Sequence, residues 1–190
     1  MTRTILFSLL LTAAATVAAE SRWFGNMGGD DDTETVFQET ELPLPPVPDT
    51  AQSGWFELYV SPMYRGQALI LPDSITVADD RTIRYVLNRR SAAGYDNLTA
   101  EGLYCFTGNR LLGSDGAQVK TFAYADTTSG RWMQPRRAQW QVIGGKHNGI
   151  DPVRGVLYEV FCVDGRADAD TLRQRLRRSG GLSGFRKNDK

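Results

Sequence analysis

The residues whose types could do chemistry in this chain are two cysteines, one histidine and a group of arginines and carboxylates. Cys105 and Cys162 are the only thiols. Two lone cysteines in an oxidising compartment most often pair, which would tie two distant segments together. The competing reading is a redox or nucleophilic thiol. It lacks a C-x-x-C motif, and a single His is available to activate a thiolate. That residue, His147, excludes a multi-histidine zinc site and makes any triad depend on it alone. It sits in the polar, glycine-rich run 144–149, where an exposed bystander is the commoner role. The run lacks the G-x-x-x-x-G-K-[ST] order of a phosphate loop, and neither G-x-G-x-x-G nor G-x-S-x-G occurs. No catalytic residue, metal ligand or cofactor is therefore assigned.

The carboxylates and arginines leave two possibilities. Asp96 and Glu101 flank a strand, and a pair held roughly 5–10 Å apart can hydrolyse a glycosidic bond without a metal. Carboxylates beside a bend more often serve as turn and hydrogen-bond elements. Arg84, Arg89, Arg90 and Arg110 are interleaved with Tyr85, Tyr95 and Tyr104. Such a pattern can bind nucleic acid. For an exported chain the partner is instead an envelope polymer or an acidic protein surface. On this reading Arg84, Tyr95, Glu101 and Tyr104 are the candidate ligand-binding residues. The competing reading pairs these arginines with Asp79, Asp80, Asp96 and Glu101 across strands. Trp55, Trp132 and Trp140 line either a core or a groove.

These residues need a frame, and residues 81–107 supply it. Thr82, Ile83, Tyr85, Val86 and Leu87 suit a pleated, half-buried surface. Alternation puts 83, 85 and 87 on one side and 82, 84 and 86 on the other, so Arg84 points away from Tyr85. Ala93-Gly94 supplies a bend. A second run climbs through Leu98, Leu103, Cys105 and Phe106. Gly102 interrupts it, marking a bulge or a close approach. The expectation is a long hairpin with a bulged second strand.

The order Arg84-Tyr85, Ser91, Gly94, Asn97, Glu101-Gly102, Cys105, Tyr124-Ala125 and Trp132 resembles the cryptic-neisserial-protein-like family of secreted proteobacterial proteins. The resemblance covers about residues 35–178. It implies a secreted or periplasmic location and brings no catalytic residues with it. The chain departs from the family's pattern at Tyr104, where a basic residue usually precedes the Cys.

Residues 1–19 have Arg3, an apolar run from Ile5 to Leu11 and a small-residue end at Val17-Ala18-Ala19. This is the pattern of a cleaved signal peptide, with Glu20 as the mature N-terminus. The run is too short to span about 30 Å of hydrocarbon comfortably. No other stretch is apolar enough to cross a membrane. The whole chain holds 22 Lys+Arg and 22 Asp+Glu, and losing Arg3 leaves it one charge negative. That balance gives no pull toward nucleic acid. Residues 20–52 read as an acidic, proline-rich linker or strap. Pro43, Pro45, Pro46 and Pro48 impose an extended polyproline conformation, with Leu42, Leu44 and Val47 packing on the chain's own domain. Three Asp at 30–32 lack the alternating spacing of a calcium loop.

Residues 53–178 form one domain. Short apolar runs at 55–60, 68–71, 75–77 and 119–124, separated by polar turns, read as an antiparallel meander. Asp151-Pro152 starts a helix, and Val153, Val156, Leu157, Val160 and Phe161 fall on one helical face, although Gly155 leaves a strand open. A second helix runs from about Asp170 to Arg178, capped by Asp168 or Asp170. Residues 179–190 read as a mobile basic tail. The fold class expected is α+β: an antiparallel sheet of about five to seven strands, one or two C-terminal helices and one disulfide. The function expected is that of a periplasmic or secreted, non-catalytic envelope protein that binds a partner or ligand; the alternatives are a metal-independent hydrolase using carboxylates and a structural or assembly factor of the envelope.

Overall fold

The computed structural model describes residues 38–105, 117–143 and 151–181. The signal-peptide pattern, the Asp30–Asp32 run, Arg110, His147 and the tail beyond Gly181 lie outside the described residues.

The architecture is α+β, with an antiparallel sheet of eight described strands and two helices on one face. The strands are β1 (Phe56–Leu58), β2 (Gln67–Ile70), β3 (Thr76–Val77), β4 (Ile83–Arg90), β5 (Leu98–Tyr104), β6 (Gln118–Asp126), β7 (Arg131–Met133) and β8 (Gln141–Val142). Six of them form a continuous path, β1-β2-β4-β5-β6-β7, within the expected range. The two-residue strands β3 and β8 are additions that pair with β4 and β6. Helix α1 spans Pro152–Phe161 and α2 spans Ala169–Arg175. A π-helical turn, Leu176–Gly180, extends α2.

The period-2 pattern of β4 divides the molecule. Ile83, Tyr85 and Leu87 face the helices and join Leu103, Val153, Leu157, Phe161, Leu172 and Leu176 in one core. Burying such side chains is the main stabilising contribution, about 1.5–3 kcal/mol each. Residues 152–161 are therefore helix rather than strand. Their 3.6-residue apolar stripe finds a sheet to cover, which outweighs the unfavourable propensities of Gly155 and the valines. Asp151 caps α1 by accepting from the backbone N–H of Val153 and Arg154. Asp168 caps α2 through the Thr171 N–H. The Cys105–Cys162 disulfide, across a sequence separation of 57, joins the end of β5 to the end of α1.

The hairpin is present, but its bulge lies elsewhere. β4 and β5 pair in unbroken register from Ile83↔Leu103 to Asn88↔Leu98. The shift falls between β5 and β6: Ala100 faces Ala123 while Glu101 faces Thr121, so the extra residue is Phe122. Gly102 instead allows a close approach. A Cβ there would lie 2.7 Å from the Phe122 ring, 3.1 Å from Trp140 and 3.2 Å from Arg84. At the bulge in β6 the Phe122 ring occupies the space that Gly102 leaves.

Candidate functional site: a groove beneath a proline strap

The sheet face opposite the helices carries Arg84 on β4, Gly102 on β5 and Lys120 on β6, which follow one another across the strands. Phe122 stands among them. The Arg84 guanidinium lies 4.0 Å from the centre of its ring and Lys120 Nζ lies 4.9 Å from it. Trp140 meets Phe122 edge-on at 6.0 Å. Cations over aromatic faces are held by the ring quadrupole, most strongly where water is excluded. The Arg84 side chain is only 12% exposed.

Residues 38–48 cross this face in an extended conformation with no regular secondary structure. They belong to the same compact unit as the sheet. Three polar anchors hold them. Lys120 Nζ lies 2.7 Å from both Glu39 carboxylate oxygens, and Trp140 Nε1 donates to Glu39 Oε2 at 2.6 Å. The Thr40 N–H donates to Asp80 Oδ2 at 2.8 Å, while Arg84 Nη2 donates to the Thr40 carbonyl at 3.2 Å. Trp132 Nε1 donates to the Pro45 carbonyl. The strap thus lies against the domain, with Leu44 and Val47 half-buried as expected. Leu42 departs from the expectation at 43% exposed, and a groove lies beneath the strap. That groove has a volume of about 760 Å³, within the usual range for ligand sites.

Asp80 organises the groove's edge. One oxygen accepts from the Thr82 N–H and hydroxyl, the other from Thr40 and Arg84. Burial pushes its carboxyl up, but these hydrogen bonds and the Arg84 charge outweigh burial and hold it below the ordinary carboxylate value. Burial in turn pulls the Arg84 guanidinium below its ordinary value, against the pull of Asp80 and Glu39. Arg84 Nε is buried without a hydrogen-bond partner among the described residues.

Of the four candidate residues, Arg84 and Glu101 both line the groove, and Tyr95 and Tyr104 do not. The Glu101 carboxylate turns to the helix face, where it is 2% exposed and accepts from Tyr85, Thr99 and Arg154. Burial, and then the Glu101 charge, raise the Tyr85 phenol well above its ordinary value. Tyr95 is 74% exposed in the turn that joins β4 to β5. Tyr104 ends β5, half-buried. Asp96 precedes β5 and Glu101 lies within it, and no hydrogen-bond partner is shared by the two carboxylates among the described residues. Asp96 is bound by Asn88 and Arg90.

The arginines are paired, in part with partners that the sequence had not singled out. Arg84 pairs with Asp80 and Arg90 with Asp96, within the expected set, but Arg89 pairs with Asp151. Arg154, Asp151, Glu39 and Asn88 were missed. Their partners are 62, 53 or 81 positions away, or, for Asn88, across a turn. The capping position of Asp151 was the one available signal. Among the described residues no group of His, Cys, Asp and Glu could hold a metal, and no helix is long and apolar enough to cross a membrane.

The CNP1-like family model matches residues 32–178, which takes in the strap, all eight strands and both helices. The chain belongs to the CNP1-like family. It is 41% identical over 197 aligned residues to "Cryptic neisserial protein 1" of Neisseria gonorrhoeae (strain ATCC 700825 / FA 1090), covering 95% of each chain. No solved structure matches. The family resemblance read from Arg84 to Trp132 is thereby established, and most of the residues that carried it lie on β4, β5, β6 and β7.

Proposed function

We propose that this CNP1-like protein is exported to the periplasm, where it binds an envelope protein or polymer, or a ligand derived from one, without catalysing a reaction. The observation that carries the reading is the groove under the strap. It is walled by Arg84, Lys120 and Phe122, and a buried Arg84 Nε–H has no partner among the described residues. A concave site with an apolar wall and a few convergent polar groups is the usual form of a ligand site. Export is supported by the leader pattern of residues 1–19 and by the disulfide, a bond that persists in oxidising compartments. The non-catalytic reading is favoured by the engagement of Asp96 and Glu101 with different sets of partners.

The test compares native and denatured masses of the protein taken gently from the envelope. The expected denatured mass lacks residues 1–19 and two hydrogens. The expected native mass exceeds it by a retained ligand or partner, which an Arg84→Ala variant releases. A protein recovered with its leader and free thiols overturns the export reading. A native complex that Arg84→Ala leaves intact overturns the assignment of the groove.

A further inference from the structure

The strap is held in an unusual way for a segment that completes a fold. Among the described residues none of 38–48 makes a backbone-to-backbone hydrogen bond. It adds no strand to the sheet and fills no core position. Its exposed leucine and the groove beneath it show that it leaves part of the face unfilled. What holds it is a set of side chains that read an extended peptide at intervals. An ammonium and an indole N–H take one carboxylate, a carboxylate and a guanidinium clamp the N–H and C=O of the next residue, and a second indole N–H takes a carbonyl five residues on. Five residues in polyproline conformation would span roughly 15 Å at about 3.1 Å each. Aromatic-lined grooves use this chemistry to bind proline-rich peptides, whose stiff backbone has little conformational freedom to lose.

We propose that this sheet face is a recognition groove for an extended, proline-rich peptide bearing an acidic residue, and that residues 38–48 occupy it in cis. The partner is a segment of another protein with a Glu or Asp immediately before the clamped residue and a Pro five residues after that residue. Charge complementarity selects it: Lys120 and Arg84 face the groove, each matched by an acid that the strap or its edge supplies. Apolar side chains between the anchors would enter the volume that Leu42 leaves open. A tethered strap has a high effective concentration, so the partner binds detectably only when it fills the groove better or when the strap's anchors are weakened. This deepens the binding reading above and rests on it for the site, though not for the compartment.

The test uses the full mature chain and a fluorescein-labelled peptide of residues 38–49. The wild-type chain is expected to bind it weakly. Glu39→Ala in the chain releases the cis strap and should tighten peptide binding at least tenfold. Adding Lys120→Met to that variant, or replacing the Glu39 equivalent in the peptide by Ala, should abolish the gain. A second measurement needs no variant. Millimolar unlabelled peptide should accelerate hydrogen exchange of the Thr40 amide in the wild-type chain while the β4 and β5 amides stay protected. Unchanged Thr40 exchange, or peptide binding indifferent to Lys120→Met, overturns the proposal. A wild-type dimer that forms as concentration rises, with Thr40 protected, assigns the groove to the strap of a second copy and overturns it too. If the peptide fails while envelope-extracted protein carries a mass that Arg84→Ala releases, this inference falls and the broader binding reading stands.

Discussion

Glu101 is a carboxylate almost wholly shielded from water, and the chain gives it three donors. Tyr85 Oη, Thr99 Oγ1 and Arg154 Nη2 each lie 3.2 Å from its oxygens. A buried charge that loses its counter-charge destabilises strongly, whereas an isosteric neutral group does so far less. Arg154→Met is therefore expected to lower unfolding stability by about 3 kcal/mol, and Glu101→Gln should recover part of that loss in the double variant, both read by urea denaturation. Asp151 acts on two elements at once. One oxygen caps α1 and the other takes Arg89 Nη1 at 2.7 Å. Burial raises its carboxyl, but Arg89 and the cap bonds win and its value lies below the ordinary 3.8. A carboxylate lowered on folding adds stability above its unfolded value and loses it as pH falls through the folded one. Asp151→Asn keeps a capping side chain but removes the charge. The variant should be less stable than wild type at pH 7 and should lose less stability between pH 5 and pH 2, as followed by thermal melts across that range. The sequence had marked Glu101 and Asp151, the first as a possible site residue and the second as a cap. Their shared neighbourhood was not legible, because it depends on how α1 lands on the sheet. Local pattern reports which face a residue takes, not which residue 53 positions away meets it.

At the scale of elements, alternation and apolar spacing carried most of the fold. β4 puts Ile83, Tyr85 and Leu87 on the face that packs on the helices, with Val86 and Asn88 buried on the other, and α1 shows its stripe because one side meets the sheet. The β5–β6 register was harder to read. Val119, Thr121 and Ala123 alternate in sequence, yet the bulge at Phe122 places Ala123 opposite Ala100 and moves it to the groove face. Gly102 was the sign that backbone and something else approach closely, but a glycine does not name its neighbour. Gly102→Ala tests the arrangement. The added Cβ has no room beside the Phe122 ring, and overpacking of this kind costs about 1–3 kcal/mol. The loss should shrink in Gly102→Ala combined with Phe122→Leu, measured by denaturant unfolding. Equal losses in both backgrounds would mean that the ring does not rest on Gly102. The strap shows the limit of compositional reading. Its prolines disclosed an extended segment, but its leucines suggested apolar packing, while Glu39 and Thr40 provide the anchors.

For the whole molecule, what remains is how the two layers stay together. The helices meet the sheet through the apolar core, through the ion pairs of Asp151 and Arg154, and through one covalent link. Arg173 adds bonds to the carbonyls of Pro72 and Ile75, which fix α2 to the segment before β3. The disulfide lies at the far end of α1 from the Asp151 cap, so the helix is fastened at both termini. Pairing was legible because only two thiols exist. That they meet at the ends of β5 and α1 depends on the long crossing between them. Closing a loop of this length restricts the unfolded chain, and removing the bridge should lower stability by up to about 4 kcal/mol. The measurement is urea unfolding of oxidised wild type, reduced wild type and the Cys105→Ala/Cys162→Ala double variant. Reduced wild type and the double variant should unfold at similar, lower midpoints, and reductant should not move the double variant. Binding of the labelled strap peptide by a Glu39→Ala chain should survive reduction, because the groove lies on the sheet face that the bridge does not touch. Loss of peptide binding with the sheet still folded would instead mean that the helical layer sets the geometry of Arg84 and Lys120 from the opposite side.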